Sequence, residues 1–502
     1  MKTLLRGLAA SGVLILILVA AIVLRAATWK PPASEGQPGL PPPAKVDVAA
    51  AARHLGEAIR FRTVSHQDAG ENDWSQWDAL QAWLAATYPQ AHAAMTRETA
   101  PGTRALVWTW RGADPALPPV VFMAHQDVVP VEPETLGRWR HAPFAGEVAE
   151  GAVWGRGSAD DKGSLIGLME AIDALAARGF HPKRTVIVIS GHDEEAGGTG
   201  AAAAAALLAS RAVKPLFVLD EGDFALTSNP VSGRPVAAIG IAEKGYATLV
   251  LTAHGAGGHS SAPPDQTAVH TLARAVDRIA SDRFSLRFDG PGADMIRVIA
   301  ADAPGLKRAL IANDWLFGPL IARQMGALPA GAAMLRTTIA PTVLQGSPKE
   351  NVLPDRAVAL INYRLHPRDT LDQVMARARR DTKGLKVDLA WEQTAINASP
   401  TASTRTEAWR VIAALARSET GARAAPTLFT GATDARRLTG LTSEVYRFQP
   451  ILLRPDDIEM FHGVNEHMPL QGLKSMISYY ERLIEAEAGQ GRAHHKPTAD
   501  SP

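Results

Sequence analysis

The chain alternates short apolar runs with helix-length segments. Pro119–Ala124, Thr185–Ser190 and Pro215–Leu219 are continuous apolar stretches, the pattern of strands buried on both faces of a parallel sheet. Between them Ser164–Arg178 and Thr199–Arg211 read as helices. The six alanines at 201–206 fit a helix packed closely on a sheet. This alternation predicts an α/β domain with a mostly parallel sheet. Beyond Ser232 the period changes. Val236–Ala242, Tyr246–Ala253, Ala357–Leu365 and Val387–Glu392 read as partly alternating strands, and Thr267–Ser281 and Leu371–Thr382 as amphipathic helices. Four strands and two helices in this order fit a ferredoxin-like α+β layer. Pro291–Met334 inserts apolar, helix-leaning sequence with Trp315, Leu316, Phe317, Leu320 and Ile321; ordinary helix packing and an acyl groove are both open readings. After about Ser399 the α/β pattern returns and ends in a helix over 469–487.

The N-terminus departs from the globular pattern. Gly7–Leu24 is 18 residues without a charge, preceded by Lys2 and Arg6, about the length that crosses a bilayer core. A cleaved signal peptide competes, but it has a shorter apolar stretch and an Ala-x-Ala-like exit; here Arg25 follows directly. These criteria favour an uncleaved single-pass anchor with the body on the extracytoplasmic side, or a secreted body if the segment is cleaved. The organisation expected is an anchor over 1–28, a stiff Pro-rich linker over 29–45, and a catalytic domain over 46–237 and 396–487. An inserted domain occupies 238–395 and a polar tail 488–502.

Composition narrows the chemistry. The 502 residues carry 52 Lys and Arg against 51 Asp and Glu, without a charge block, which argues against a nucleic-acid partner. There is no cysteine, so no disulfide, thiolate nucleophile or Cys-ligated zinc is available. The apolar runs lead into polar clusters: His125-Gln-Asp127, Gly191-His-Asp-Glu-Glu195 and Asp220-Glu221. Ligands of open α/β sheets bind at the carboxyl ends of the strands. Asp160-Asp161 adds acids in a glycine-containing loop before a helix. So many converging carboxylates need a counter-charge. His and carboxylate ligands suit divalent zinc, manganese or cobalt.

The motifs Met123-Ala-His-Gln-Asp-Val-Val-Pro130, Trp154-Gly-Arg-Gly-Ser-Ala-Asp-Asp-Lys-Gly163, Gly191-His-Asp-Glu-Glu195, Asp220-Glu-Gly222, Gly258-His-Ser-Ser-Ala-Pro-Pro264, Asn351-Val-Leu-Pro354 and Phe461-His-Gly-Val-Asn-Glu466 occur in this order. With them the chain resembles the aminoacylase and carboxypeptidase S family of dizinc metallopeptidases. It is most similar to the branch holding carboxypeptidase S and the N-fatty-acyl-amino-acid synthase/hydrolase. The resemblance covers residues 46–485 and implies a set of roles. His125 and His462 would each bind one of two zinc ions, Asp160 would bridge them, Glu195 would bind one, and Asp220 or Glu221 the other. Asp127 would orient His125, and Glu194 would be the general base. His259 would donate to the oxyanion, in related enzymes sometimes from a partner subunit, which allows a homodimer through the inserted domain. Asn351 and Arg364, with Thr433 and Asp434, would contact substrate.

One topological inference needs no family. Glu221 and His462 can meet only if residues 238–395 leave the α/β domain and return, which makes them an inserted lid. The expected function is a membrane-anchored hydrolase of the amide bond of N-acyl amino acids, N-fatty-acyl ones included, or of peptides with a free carboxylate. A peptide-preferring carboxypeptidase or dipeptidase is the first alternative. A non-catalytic binding protein on a peptidase fold is the second.

Overall fold

A computed structural model describes residues 2–30 and 38–489; the expected polar tail falls almost wholly outside them. The chain divides into two compact units. The larger holds 34–241, 402–425 and 433–502, and the smaller holds 1–33, 242–401 and 426–432.

In the larger unit the apolar runs fold as expected. Val186–Ser190, Val120–Met123, Phe217–Leu226 and Val445–Leu453 lie side by side, all parallel. Thr96–Thr99 and Leu106–Trp110 extend one side of this sheet, and Val236–Glu243 and Arg423–Phe429 the other, giving eight strands. Successive side chains of a strand point to opposite faces. Val120 and Phe122 accordingly join a core with the helices Val48–Arg60, Lys162–Ala177, Glu407–Thr420 and Leu470–Ala488. Val121 and Met123 join a second core with Ala201, Ala204, Ala205 and Leu208 of the helix Thr199–Ser210. Both faces are covered, hence the unbroken apolar runs. Fully burying a side chain such as Phe122 contributes about 1.5–3 kcal/mol. This is an α/β fold with a mostly parallel central sheet.

The smaller unit carries a four-stranded antiparallel sheet in the order Thr338–Gln345, Arg356–Leu365, Gly245–His254, Val387–Trp391. Ala247, Leu249, Leu251 and Ala253 alternate toward the helices Ala268–Ser281 and Leu371–Asp381. Strand order and helix positions are those of a ferredoxin-like layer, with one strand corrected. Val236–Ala242, expected here, belongs to the eight-stranded sheet; it is buried almost throughout, as a strand covered on both faces must be. Its place is taken by Thr338–Gln345, an edge strand with exposed residues on both faces and a register shift beside Pro341. Proline at an edge and a bulge both erase the alternation a sequence reading relies on.

The segment from 290 to 335 is helical: Gly290–Ile299, Gly305–Ala312, Asp314–Met325 and Pro329–Leu335. Trp315, Leu316 and Leu320 are exposed, while Phe317 and Ile321 are partly covered and Gly318 and Ala322 buried, so only one face of that helix packs. Lys2–Thr28 is a helix of 27 residues. Among the described residues only its Ala10–Thr28 portion is long and apolar enough to cross a bilayer by length and composition.

Candidate metal centre

Four parallel strands and two loops of the larger unit supply the side chains. Val120–Met123 runs into His125 and Asp127, and Val186–Ser190 into the loop 191–198. Asp193 ties down that loop by accepting from the amides of Thr199 and Gly200, both at 2.9 Å. Asp220 and Glu221 lie within Phe217–Leu226, and His462 follows the short turn Pro455–Met460 beyond Val445–Leu453. His462 sits in the left-handed backbone region, φ 58°, where only a local constraint holds a non-glycine residue.

Two groups of ligating atoms result, each drawn together within 4.8 Å: His125, Asp160 and Glu221, and Asp160, Glu195 and His462. Asp160 belongs to both. Its Oδ1 is 3.0 Å from His125 Nε2 and its Oδ2 3.2 Å from His462 Nε2, while Glu195 Oε2 is also 3.2 Å from His462 Nε2. Of the adjacent acids, Glu221 joins a group. Asp220 is engaged elsewhere, accepting from the amides of Glu221 at 2.9 Å and Ala435 at 2.8 Å.

A buried polar layer holds these groups. His125 Nδ1 donates to the Asp127 carbonyl at 3.0 Å. The Asp127 carbonyl and the Asp160 carboxylate can both only accept, so with no cation present both ring nitrogens donate, and a cation held between Nε2 and Asp160 would leave the ring proton on Nδ1. The Asp127 carboxylate accepts from Ser65 Oγ at 2.6 Å and from the amides of Glu194 and Glu195, both at 3.1 Å. It thereby fixes the loop carrying both glutamates. Glu466 accepts from the amides of Ala159 and Asp160 and pairs with buried Arg156 at 2.7 Å. Asp161 accepts from the His125 amide and from Gln449. The sequence reading missed these supporting roles of Ser65, Arg156, Glu466 and Gln449. Glu466 stood inside a quoted motif, whereas Ser65 and Gln449 carry no local signal. Asp161 immediately precedes the helix Lys162–Ala177, but its side chain makes no capping hydrogen bond there.

The electrostatics call for added positive charge. Burial pushes the carboxyls of Glu194, Glu221 and Asp434 well above their ordinary range, with neighbouring carboxylates adding to the shift. Burial also opposes the Asp160 carboxylate, but hydrogen bonds from His125 and His462 hold it low. Hydrogen bonds to Asp160 and Glu195 lift His462 to about 10. Glu195 Oε1 and both carboxylate oxygens of Asp434 are buried without a hydrogen-bond partner, a costly state for an acceptor. A cysteine-free set of imidazoles and carboxylates with orphaned oxygens fits divalent cations.

Thr433 and Asp434 are buried in the larger unit too. Asp434 lies against the loop 191–198, where a side chain at Gly191 or Gly198 would collide with its carboxylate. His259, Asn351 and Arg364 belong to the smaller unit. His259 pairs in register with Val352, and Ser260 donates to the Asn351 carbonyl at 3.1 Å. His259 Nδ1 accepts the Ser261 amide at 3.1 Å, so its ring proton is on Nε2, available for donation. Arg364 stands at the opposite end of the small sheet. It pairs with Tyr246 and stacks on that ring at 4.7 Å, whereas Arg356 of the same strand pairs with His254 near the His259 segment. Eight strand residues separate those ends, about 26 Å.

The sequence profile of peptidase family M20/M25/M40 matches residues 121–486. The chain is 35% identical over 396 residues to the N-fatty-acyl-amino acid synthase/hydrolase PM20D1 of Homo sapiens, covering 78% of each chain. It is 32% identical over 448 residues to the probable carboxypeptidase S-like 2 of Dictyostelium discoideum, covering 86% of this chain and 84% of that one. Among solved structures, the M20 family metallo-carboxypeptidase Sso-CP2 from Sulfolobus solfataricus superposes with a TM-score of 0.65 at 16% identity, covering 87% of this chain and 98% of that one.

Proposed function

The chain belongs to peptidase family M20/M25/M40, and from that premise we propose that it is a membrane-anchored, two-metal hydrolase of amide bonds to a free amino acid. Its substrates are N-acyl amino acids, long-chain ones included, or peptides with a free carboxylate. The observation that carries the two-metal reading is the sharing of Asp160 between two ligand groups. His125 and Glu221 would hold one ion, His462 and Glu195 the other, and Asp160 both. Zinc is the first expectation, with cobalt or manganese compatible with the same donors. Bound there, the ions would lower the pKa of a water and polarise the amide carbonyl.

The remaining steps fall to the protein's own groups. Glu194 stands outside both ligand groups and is fixed through its amide to Asp127. It takes the proton of the attacking water and passes it to the leaving nitrogen. The protonated Nε2 of His259 stabilises the oxyanion. Arg364 and Asn351 bind the substrate's carboxylate, and Thr433 and Asp434 line the site.

In such a substrate the carboxylate lies a few bonds from the scissile amide. His259 follows the His254 end of the four-stranded sheet and Arg364 stands at its other end, the two ends about 26 Å apart, which argues against both serving one substrate within one chain. This supports a homodimer in which each site takes one of the two residues from its partner. The helix Ala10–Thr28 is read as the uncleaved anchor, with the body on the extracytoplasmic side. The alternative of a peptide-preferring carboxypeptidase draws on the carboxypeptidase S-like relative. The deciding experiment is turnover of an N-acyl amino acid series and a dipeptide series, with and without a chelator. Chelator-sensitive hydrolysis of the acyl series supports the proposal. Hydrolysis of dipeptides alone would transfer it to the alternative, and no turnover of either would remove it.

A further inference from the structure

The anchor helix is not a free tether. Its residues Ile22, Ala26 and Trp29 are partly covered, and at i, i+4 and i+7 they share one face. The helix Gly305–Ala312 packs on its end. Arg25 Nε donates to the carbonyl of Ala312 at 2.7 Å, placing a cation at the C-terminus of that helix. Asn313 Nδ2 donates to the Ile22 carbonyl at 3.1 Å, and the Arg308 guanidinium lies 5.9 Å from the Trp29 ring.

These contacts set a depth. Ile22 lies six residues inside the end of the helix at Thr28, or about 9 Å along its axis. Helices lying in a bilayer interface bury their apolar face by about 5–10 Å. Trp315 Nε1 donates to Asn313 Oδ1 at 3.3 Å, which brings its helix, Asp314–Met325, to this level; that helix leaves Trp315 58%, Leu316 38% and Leu320 55% exposed, and Leu306 in the preceding helix is 75% exposed. Tryptophan is the side chain that interfaces favour. Arg25 is held at the end of the helix Gly305–Ala312, and Lys30 and Lys307 adjoin Trp29 and Leu306 in sequence, cationic groups of the kind that anionic headgroups attract.

We propose that residues 305–325 form a second membrane contact, in which Leu306, Trp315, Leu316 and Leu320 enter the headgroup–acyl boundary beside the anchor. The occupant of this surface is the lipid bilayer. The helix Gly305–Ala312 and Asn313 pack on the emerging end of an unburied candidate span, and the exposed apolar residues are carried by that helix and the one that follows it, so one lipid phase can cover the span and these residues together. Docked this way, the smaller unit stays on the membrane. The inference rests on the anchor reading, and the test separates the two.

The natural chain lacks cysteine, so single labels can be placed without background. Leu16→Cys, Leu320→Cys and Gln393→Cys, each in the full chain, are labelled with an environment-sensitive fluorophore and reconstituted in phosphatidylcholine–phosphatidylglycerol vesicles. Leu16 lies in the candidate span, and Gln393 is an exposed turn position of the same unit. Quenching by lipids spin-labelled near the headgroup should be several-fold stronger at 320 than at 393. A label at 320 that matches 393 while 16 is quenched by lipid overturns the second contact and leaves the anchor. A label at 320 shielded from aqueous iodide yet untouched by quencher lipids would mean that protein covers the patch, which also overturns it. Labels at both 16 and 320 that read as water would remove the anchor and the contact together.

Discussion

The loops that end the central parallel strands and the helices of residues 305–325 depart from the usual partition of side chains in opposite senses. The strand ends and loops bury Asp127, Asp161, Asp220 and Asp434 and half-bury Asp160 beside His125, where unpaired charges are expensive. The helices leave a tryptophan and three leucines in the open, where a soluble surface would carry polar groups. Neither departure improves folding by itself, so each implies something outside the chain that restores the balance. For the buried acids that something is cationic, and for the exposed leucines it is apolar. The same physical ledger thus points to metal in one region and lipid in the other.

The largest effect should come from breaking the chemistry of the buried region while sparing its ligand groups. Glu194→Gln keeps the side-chain volume but removes the proton acceptor. Its kcat should fall by about 10²–10⁴-fold with the metal content unchanged. Near-normal turnover would hand the role to another carboxylate. His259→Ala should also be inactive, and mixing it with Glu194→Gln should restore part of the activity if subunits exchange and share sites. A mixture that stays inactive despite proven exchange would place His259 in its own chain's site.

A smaller effect is expected one layer out. Asp127→Asn weakens the acceptor for Ser65 and for the two glutamate amides, so metal affinity should fall by about 10–100-fold. A competition titration against a chelator reads this directly, and unchanged affinity would reduce Asp127 to a packing role.

These roles were unequally visible beforehand. The convergence of His125, Glu194, Glu195 and the Asp220–Glu221 pair on one sheet edge was readable, because strand ends follow from period alone; their separate roles came from the family resemblance. The choice between Asp220 and Glu221 was not readable, because it depends on the amide of Ala435, which engages Asp220 from 215 residues away. Ser65 and Gln449 could not be found for the same reason, since each meets its partner only through the folded sheet. Thr338–Gln345 was overlooked because Pro341 and a register shift destroyed its alternation. The exposure of Trp315 and Leu320 was likewise invisible, because a clustered apolar stretch reads as core until its neighbours are known.

On the apolar side of the comparison, an acyl-length series of N-acyl amino acids should show kcat/KM rising by up to about 0.8 kcal/mol, roughly fourfold, per buried methylene. A flat series would separate the exposed leucines from substrate binding and leave them to the membrane alone. The smallest effect serves as a control. Glu487 is a carboxyl outside the metal centre that burial raises to about 7, with Arg184 opposing the shift. The unfolded chain releases this proton near 4.3, and the folded chain holds it up to about 7. Stability should therefore fall as pH rises through that window. Glu487→Gln should flatten the decline in Tm, and an unchanged pH profile would remove Glu487 as its cause.

The central claim is that the buried acids are held together by two cations sharing Asp160. Elemental analysis of the purified chain beside His125→Ala, His462→Ala, Glu221→Gln and Asp220→Asn tests it most directly. The account predicts two divalent ions per parent chain, a loss in each of the first three variants, and retention in Asp220→Asn, whose carboxylate serves backbone amides. An unchanged metal content in both His125→Ala and His462→Ala would contradict it.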